Sequence, residues 1–266
     1  MISAALLKSV ITYRGFIFGS VKREFQAKYG NAVLGATWTI LNPLALILVY
    51  TVIFAEVMHS RLPGVSSSFA YSIYLCAGIL TWGLFAEITS RSQNIFLDHA
   101  NLIKKISFPR IALPLIVVLS AGLNFAIIFG LFVGFLLVTG NFPGWIFFAI
   151  VPVLLIQILL SIGLGMILGV LNVFFRDVGQ FFSIFLQFWF WFTPIVYPAS
   201  ILPPAVRDLL VWNPMATIVG AYQTVLVSGT APDWGALAPV AAVSLLLCVF
   251  GLRLFRKRSG EMVDEL

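Results

Sequence analysis

Charged residues are scarce in this sequence. They account for 10% of the 266 residues, whereas 61% are hydrophobic, and the mean hydropathy is +1.04. Soluble domains contain about 25% charged and about 45–50% apolar residues, so a water-soluble core of this size is excluded. Cysteine is also rare, and both Cys76 and Cys248 lie inside apolar runs, which argues against a disulfide framework. The composition therefore predicts a single membrane domain.

The sequence also lacks the residue groups that form nucleotide-binding, metal-binding, catalytic or ion-coupling sites. No glycine is followed by lysine anywhere, so the chain has no P-loop for a nucleotide. The two histidines, His59 and His99, are expected on opposite sides of the membrane, which excludes a histidine metal cluster and a Ser/His/Asp catalytic set. Glu56 and Glu87 lie at the ends of apolar runs, not near the middle, which disfavours an ion-coupled transporter or a voltage sensor. We therefore predict a membrane protein without enzymatic activity. If it pumps a substrate, the energy must come from another protein or process.

Six segments of the chain are predicted to cross the membrane as helices. A membrane-spanning helix needs about 20 mainly apolar residues, and five runs meet this requirement. A sixth segment is shorter but dense in aromatic residues, and it becomes the fifth span in chain order. The predicted spans are residues 36–58, 69–88, 111–138, 145–175, 181–197 and 237–255.

The placement of lysine and arginine predicts the orientation. With the N-terminus inside, 14 of the 16 basic residues fall on the inner side, and only Arg61 and Arg207 fall outside. An excess of basic residues marks the cytoplasmic side, so both termini are predicted in the cytoplasm. The net charge of +6 then reflects topology and contact with anionic lipids, and nucleic-acid binding is disfavoured.

The segment at positions 5–29 is too polar to span the membrane. Between positions 5 and 29, apolar residues recur every three or four positions, while Lys22, Arg23, Glu24 and Lys28 fall mostly on other faces. This pattern is typical of a helix that lies in the cytoplasmic interface, although a simple anchoring arm is an equal alternative. The N-terminus lacks the short apolar core and cleavage site of a secretory signal, so we expect it to be retained.

Two connections are longer than a simple turn requires. The inner loop at 91–110 contains an amphipathic stretch at 94–106, which predicts a short helix that serves either as a connector or as a docking surface for a soluble partner. The outer segment at 198–235 is apolar but broken by five prolines, and its helical stretches, 206–212 and 215–227, are too short to cross. We predict two short helices that dip back from the outer face and cap an exit, with a surface hairpin as the alternative.

The fifth predicted span is unusually aromatic, with nine aromatic residues among positions 181–197. Phe185, Trp189 and Phe192 share one helical face. Flat rings can stack on a sliding substrate with apolar faces, such as a sugar. Helix packing and lipid contact are the alternative explanation, which this pattern leaves open.

Small residues and prolines predict how the spans pack. Gly165 and Gly169 recur at four-residue spacing in the fourth span, as do Gly130 and Gly134 in the third, and such spacing lets helix backbones approach closely. Pro194 removes a backbone hydrogen bond, so a kink is expected in the fifth span.

Several motifs, in a fixed order along nearly the whole chain, carry a resemblance to a known family. They are Lys22-Arg23-Glu24-Phe25 and Asn42-Pro43-Leu44 at the entry to the first span, Asn101-Leu102-Ile103-Lys104-Lys105 and Phe108-Pro109-Arg110 in the inner loop, Asn172-Val173-Phe174-Phe175-Arg176-Asp177 after the fourth span, and Trp191-Phe192-Thr193-Pro194-Ile195-Val196-Tyr197 at the end of the fifth. With these motifs the sequence resembles the permease subunits of ABC-2 polysaccharide exporters, the type that exports O-antigen, teichoic acid and capsule.

The resemblance implies a fold, a function and partners. Such permeases form homodimers and associate with two copies of a separate ATPase subunit, which binds ATP and Mg, so no cofactor is expected in this chain. The implied fold is an all-α membrane protein with a cytoplasmic interfacial helix in residues 1–35, a six-span domain in 36–255 and a cytoplasmic tail in 256–266. The implied function is to move a lipid-linked, O-antigen-like polysaccharide across the bacterial inner membrane through an aromatic-lined pore, without enzymatic activity of its own.

Three sets of candidate site residues follow from the resemblance, and no catalytic or metal-binding residue is expected. Spans one and five face the pore in the family, so the pore candidates are Trp38, Tyr50, Phe54, Phe185, Trp189 and Phe192. The candidate contacts with the ATPase are Arg23, Glu24, Asp98, Asn101, Leu102, Lys104, Lys105, Arg176 and Asp177. The candidate gate residues on the outer side are Pro203, Trp212, Asn213 and Pro214.

Other functions remain as alternatives. An ABC-2 permease for a drug, a lipid or haem would share this fold, but the aromatic fifth span and the order of the motifs favour a polysaccharide. An ATP-independent channel or an ion-coupled transporter is disfavoured by the lack of charge at mid-membrane. A membrane-embedded glycosyltransferase would need acidic or metal-binding residues grouped on one side, and none are grouped.

Overall fold

The computed structural model describes residues 12–29, 37–53, 69–105, 110 and 112–265, and these residues contain no β-strand. The α-helices are α1 (Arg14–Tyr29), α2 (Trp38–Thr51), α3 (Ala70–Asp98), α4 (Ala100–Lys105), α5 (Ala112–Val138), α6 (Ile150–Phe174), α7 (Asp177–Trp191), α8 (Pro204–Leu210), α9 (Pro214–Gln223), α10 (Trp234–Arg258) and α11 (Glu261–Glu265). A 3-10 turn, Gly144–Ala149, leads into α6, and a π-helical turn, Thr224–Ser228, extends α9.

Among the described residues, four helices are long and apolar enough to span a membrane. These are α3, α5, α6 together with its 3-10 turn, and α10, and they overlap the second, third, fourth and sixth predicted spans, although α3 runs ten residues past the predicted end at 88. Helix α7 has 15 residues, short of the roughly 20 that a span requires. Helix α2 has 14 residues, and residues 36 and 54–58 of the first predicted span lie outside the described part of the chain. Helices α8 and the extended α9 form a pair bent by 95°, which is either one broken span or a re-entrant loop. The all-helical membrane fold is therefore confirmed, whereas the count of six spans stays a prediction.

Helix α3 forms the centre of the described bundle. It is the least apolar of the four long helices, yet 19 of its 29 residues are buried. Polar side chains within a membrane are placed toward protein partners because lipid cannot hydrogen-bond to them. Accordingly, Gln157 of α6 donates its amide to the carbonyl of Thr81 in the middle of α3, at 2.7 Å. The outer faces of α5, α6 and α10 instead carry large apolar side chains.

Glycines bring α6 into backbone contact with its two neighbours. A Cβ atom built on Gly169 would lie 2.6 Å from the carbonyl oxygen of Ser92 in α3, and one on Gly165 would lie 2.5 Å from the Ser92 Cβ. On the other side, a Cβ on Gly163 would lie 2.7 Å from the backbone nitrogen of Cys248 in α10. Only glycine fits these positions, so the prediction of close packing by the fourth span is confirmed.

The glycines of the third span behave differently. A Cβ built on Gly130 or Gly134 of α5 meets nothing within 4 Å among the described residues. Gly134 lines an apolar groove of about 640 Å³ between α2 and α5. The expectation that this pair mediates close helix packing is therefore not met within the described part of the chain.

Amide side chains tie the start of α7 to α3. Asn172 at the end of α6 donates to the carbonyl of Gln93 at 3.0 Å and accepts from the backbone N–H of Gly179 at 2.9 Å. Gln93 in turn donates to the Gly179 carbonyl at 3.3 Å. Because these groups are buried, their hydrogen bonds set the position at which the aromatic helix α7 leaves the inner side of the bundle.

Candidate functional site

Helix α7 ends at Trp191, and the chain then runs without helix to Pro198. Proline lacks a backbone N–H and disfavours helical geometry in the residue before it, so Pro194 explains the end of the helix. The expected kink is therefore wrong, because Pro194 lies beyond α7 and not within it. Residues 192–198 are called the outer connector below.

Side chains from two other elements satisfy the carbonyl groups of the outer connector. Tyr74 of α3 donates its hydroxyl to the carbonyls of Pro194 and Tyr197, both at 2.9 Å. Gln223, the last residue of α9, donates its amide to the Pro194 carbonyl at 3.3 Å. Non-helical backbone inside a membrane protein is tolerated where protein groups satisfy it. The outer connector is thus held between α3 and α9.

Asn213 binds the other end of this region. Its Oδ1 accepts from the backbone N–H groups of Met215 and Ala216, at 3.1 and 3.3 Å, and so caps the first turn of α9. Its Nδ2 donates to the Phe192 carbonyl at 3.1 Å and to the Thr193 hydroxyl at 3.2 Å. One predicted gate residue therefore contacts both the outer connector and the outer helix pair, α8 and α9.

Trp189 lies partly inside the bundle. Its ring centroid is 6.1 Å from that of Trp82 and 5.1 Å from that of Phe85, with edge-to-face geometry in both pairs. Its indole Nε1 donates to Asn213 Oδ1 at 2.8 Å. A pore candidate, Trp189, is thus hydrogen-bonded directly to a gate candidate, Asn213. The sequence pattern did not indicate this contact.

The other aromatic side chains of α7 are more open. Phe185 is 43% exposed and Phe192 is 67% exposed, so the three residues expected on one face differ in environment, with Trp189 half-buried between them. Phe181, Phe188 and Trp191 are exposed too. Helix α7 therefore packs one aromatic edge on α3 and leaves a second aromatic face uncovered by the described residues.

The outer helix pair has one buried and one exposed member. Helix α9 buries six of its residues in the core, whereas α8 buries none against the described residues. Among the gate candidates, Pro203 precedes α8 and is exposed, Trp212 is 86% exposed at the bend, and Pro214 opens α9. A cleft of about 760 Å³ lies beside the pair, lined by residues that include Arg207 and Asp233. The position of these residues suits a role at an exit, which stays a prediction.

A cluster of polar side chains joins α1 to the bundle on the side that is predicted to face the cytoplasm. The carboxylate of Glu24 accepts from Arg91 of α3 and from the hydroxyl of Ser120 of α5, each at 2.6 Å. Asn124 donates to Glu87 at 3.0 Å, and Arg91 also lies 3.7 Å from Glu87. This inner cluster surrounds a pocket of about 170 Å³. Among the ATPase-contact candidates, Glu24 is therefore turned toward the bundle.

The inner loop contains two helical pieces where one was expected. Residues 94–98 belong to α3, His99 interrupts the helix, and α4 follows as a separate helix. Asn94 accepts an amide hydrogen bond from Asn172, so it faces the bundle. In α4, Ile103 is buried while Asn101 and Lys104 are exposed. The prediction of a short helix in this loop is confirmed, with a later start than expected.

The remaining candidates divide into exposed residues and residues outside the description. Asp98 at the end of α3 is exposed, as are Arg176 and Asp177 at the turn into α7. Arg23 is exposed and donates to Ser20 at 2.9 Å. Trp38 is 44% exposed at the start of α2. Phe54 and the side chains of Tyr50, Leu102 and Lys105 lie outside the described part of the chain.

Sequence reasoning missed the partners that hold these candidates in place. Arg91, Ser120, Tyr74 and Gln223 were not singled out, although each is a polar residue in or beside an apolar run. Polar residues in such runs are rare and usually have a protein partner, and this was the feature that could have indicated them. Within the described residues, no three His, Cys, Asp or Glu side chains form a group that could hold a metal ion.

Together, these observations define a multi-pass α-helical membrane protein with clusters of polar contacts at two ends of its bundle. The chain belongs to the ABC-2 type transporter family, whose sequence model matches residues 16–227. It is 32% identical to the O-antigen export system permease protein RfbA of Myxococcus xanthus, over 98% of this chain and 99% of that protein. It is also 30% identical to the protein of the same name from Klebsiella pneumoniae, over 92% of each chain. The polysialic acid transport protein KpsM of Escherichia coli is 25% identical over 91% of this chain and 93% of its own length.

Proposed function

We propose that this chain is the transmembrane permease subunit of an ATP-driven exporter that moves a lipid-linked polysaccharide across the bacterial inner membrane. The observation that carries the proposal is the match along almost the whole chain to a permease named for O-antigen export. A relative named for polysialic acid transport is similar over nearly the same length, and polysaccharide is the substrate class that the two names share. The missing P-loop is then explained, because ATP and Mg are bound by a partner subunit.

In the proposed assembly, two copies of this chain face each other and two ATPase subunits bind below them. Each copy has six spans, with α2 and α7 as the first and fifth, and both termini are in the cytoplasm. Support comes from the uncovered apolar faces of α2 and α7, where Leu48 and Phe188 are largely exposed in the single chain. Large exposed apolar side chains on a membrane protein face lipid, another subunit or a substrate path.

The exposed rings of α7 suit a moving glycan. A sugar ring has apolar C–H faces that stack on flat aromatic side chains, and the contact needs no fixed hydrogen-bond pattern. Phe181 and Phe185 stack with ring centroids 6.5 Å apart, so successive turns of the helix offer similar surfaces. A substrate passes along such a row more readily than across sites that bind it specifically, because no single contact is strong.

Energy is proposed to enter through α4. Asn101 and Lys104 of α4, and Asp98 at the end of α3, are exposed and available to an ATPase subunit, while Ile103 of α4 is buried. Ile103 belongs to the same buried apolar cluster as residues of α3, α6, α10 and α11. A displacement of α4 by the ATPase subunit therefore displaces the helices packed against it, because a closely packed interior is hardly compressible.

Complementation tests this function. The gene is deleted in its host, and surface polysaccharide is measured by gel electrophoresis after expression of the wild-type chain or of variants. We expect wild-type export to require both this chain and an intact P-loop lysine in the partner ATPase. Normal surface polysaccharide in the deletion strain, with loss of a drug or a lipid from the export profile instead, would contradict the proposal.

A matched pair of substitutions tests the aromatic path. Phe192→Leu keeps an apolar side chain of similar size but removes the flat ring, and Phe192→Ala removes both. If stacking matters, both variants lower export while the complex still assembles. If Phe192→Leu exports normally, the residue contributes only apolar volume.

A further inference from the structure

The side chain of Asn213 makes more contacts than a helix cap requires. Capping α9 needs only an acceptor, and serine, aspartate and asparagine all supply one at this position. The Nδ2 group of Asn213 nevertheless donates to Phe192 and Thr193 of the outer connector, at 3.1 and 3.2 Å. The Oδ1 atom also accepts from the Trp189 indole at 2.8 Å. Among these cap residues, asparagine alone combines an acceptor oxygen with an NH2 group that donates twice, as it does here to Phe192 and Thr193.

These contacts lie where the exposed helix α8 joins the buried helix α9. Residues 211–213 form the bend, and the backbone N–H groups of Trp212 and Asn213 donate to carbonyls at the end of α8, at 3.1 and 3.0 Å. None of the α8 side chains is buried against the described residues, so its direction depends on the bend and the loop before it. Asn213 thus sits between the end of α7 and the point that orients α8.

A second contact of the same kind occurs at the far end of α9. Gln223 donates to the Pro194 carbonyl at 3.3 Å and to the Tyr74 carbonyl of α3 at 3.4 Å. Helix α9 is therefore attached to the outer connector at both of its ends. These two attachments differ in one respect. The attachment at Asn213 includes a side chain of α7, Trp189, whereas the attachment at Gln223 does not.

We propose that Asn213 is a positioning residue that makes the outer helix pair follow α7, so that the exit opens only when α7 shifts. The proposal rests on the proposed export function, since it assigns the control of the exit to a particular contact. Loss of the amide donor would leave α9 capped but detached from the outer connector at this end and held to α7 by the Trp189 indole alone, and the outer pair would open without a signal from the ATPase.

The test uses the full complex of permease and ATPase in proteoliposomes, with three measurements. These are leak of a small trapped dye without ATP, ATP hydrolysed per polysaccharide exported, and the melting temperature of the complex. Asn213→Asp and Asn213→Ser keep the cap of α9 but remove the amide donor. Trp189→Phe keeps the ring between Trp82 and Phe85 but removes the indole N–H. Asn141→Asp is the matched control, because Asn141 lies on the loop after α5 and donates to Thr139 within that loop.

We expect about 5- to 30-fold more dye leak from Asn213→Asp and Asn213→Ser, the population shift that about 1–2 kcal/mol of lost contacts produces. More ATP should be hydrolysed per exported polysaccharide, with little change in melting temperature. Trp189→Phe should leak in the same direction, and combining it with Asn213→Ser should add little, because both changes weaken the one attachment at Asn213, each through a different hydrogen bond. Asn141→Asp should match the wild type.

Two results would overturn the proposal. One is wild-type leak and coupling in both capped variants, which would reduce Asn213 to a helix cap. The other is a parallel fall in melting temperature, assembly and ATPase rate, which is the behaviour of a purely structural residue. The dye leak needs no polysaccharide, so it decides this inference even if the wild-type complex fails to export one, which would count against the proposed function alone.

Discussion

Replacing Gly169 with alanine adds a methyl group where α6 and α3 touch through their backbones. The new Cβ atom would lie 2.6 Å from the Ser92 carbonyl oxygen and 3.2 Å from the ring of Phe96. The Phe96 side chain is fully buried, and Ser92 is a buried residue within α3, so neither can move aside alone. The two helices must separate locally by several tenths of an ångström.

The magnitude follows from two opposing effects. Adding a methyl group to a packed interior costs about 1–3 kcal/mol. Alanine is favoured over glycine within a helix by about 0.8–1.0 kcal/mol, which offsets part of this cost. Gly130→Ala in α5 has the same propensity gain, and its Cβ meets nothing within 4 Å among the described residues. The difference between the two variants therefore isolates the clash, and we expect Gly169→Ala to be less stable by about 1–3 kcal/mol.

The free energy of unfolding is measured in detergent micelles by denaturant titration with far-ultraviolet circular dichroism. Protein and detergent concentrations are kept equal for both variants, since oligomerisation would otherwise shift the apparent stability. If the two variants agree within about 0.5 kcal/mol, the range of an ordinary surface substitution, the contact between α6 and α3 is looser than the structure indicates.

Three further predictions concern the inner cluster, the outer connector and α4. Glu24→Gln removes the charge opposite Arg91 in a pair that is about one-third exposed. We expect it to lower the free energy of unfolding by about 0.2–1 kcal/mol, an effect that added salt reduces. Tyr74→Phe removes the hydroxyl donor from the Tyr197 and Pro194 carbonyls, of which Pro194 keeps the Gln223 amide, and should cost about 1–3 kcal/mol in the same titration. Lys104→Glu reverses a charge on the exposed face of α4 and should lower co-purification of the ATPase subunit without changing the stability of the permease.

Each of these predictions has an opposing result. Equal stability of Glu24→Gln and the wild type at low salt would show that the contact with Arg91 does not hold α1 to the bundle. An unchanged free energy for Tyr74→Phe would mean that other groups replace the hydroxyl. Full recovery of the ATPase with Lys104→Glu, and also after deletion of α4, would place the docking surface elsewhere.

Much of the architecture could be predicted because membrane helices are marked by the length of their apolar runs. The third predicted span began at residue 111 and ended at 138, and α5 runs from Ala112 to Val138. The two short outer helices were expected from prolines that no continuous helix could contain, and α8 and α9 each begin at such a proline. These features depend only on neighbouring residues, so local sequence is sufficient for them.

Contacts between distant residues were decided by the tertiary structure. Tyr74 and the Pro194 carbonyl are 120 residues apart, and Glu24 and Arg91 are 67 apart. In helices that are apolar on nearly all sides, periodicity does not mark which face meets which neighbour. Local sequence therefore determined a bundle of membrane helices with an aromatic segment and a broken outer pair. Only packing decided that Trp189 turns inward to Asn213 while Phe185 and Phe192 stay exposed, because that choice depends on the shape of α3 and α9 beside them.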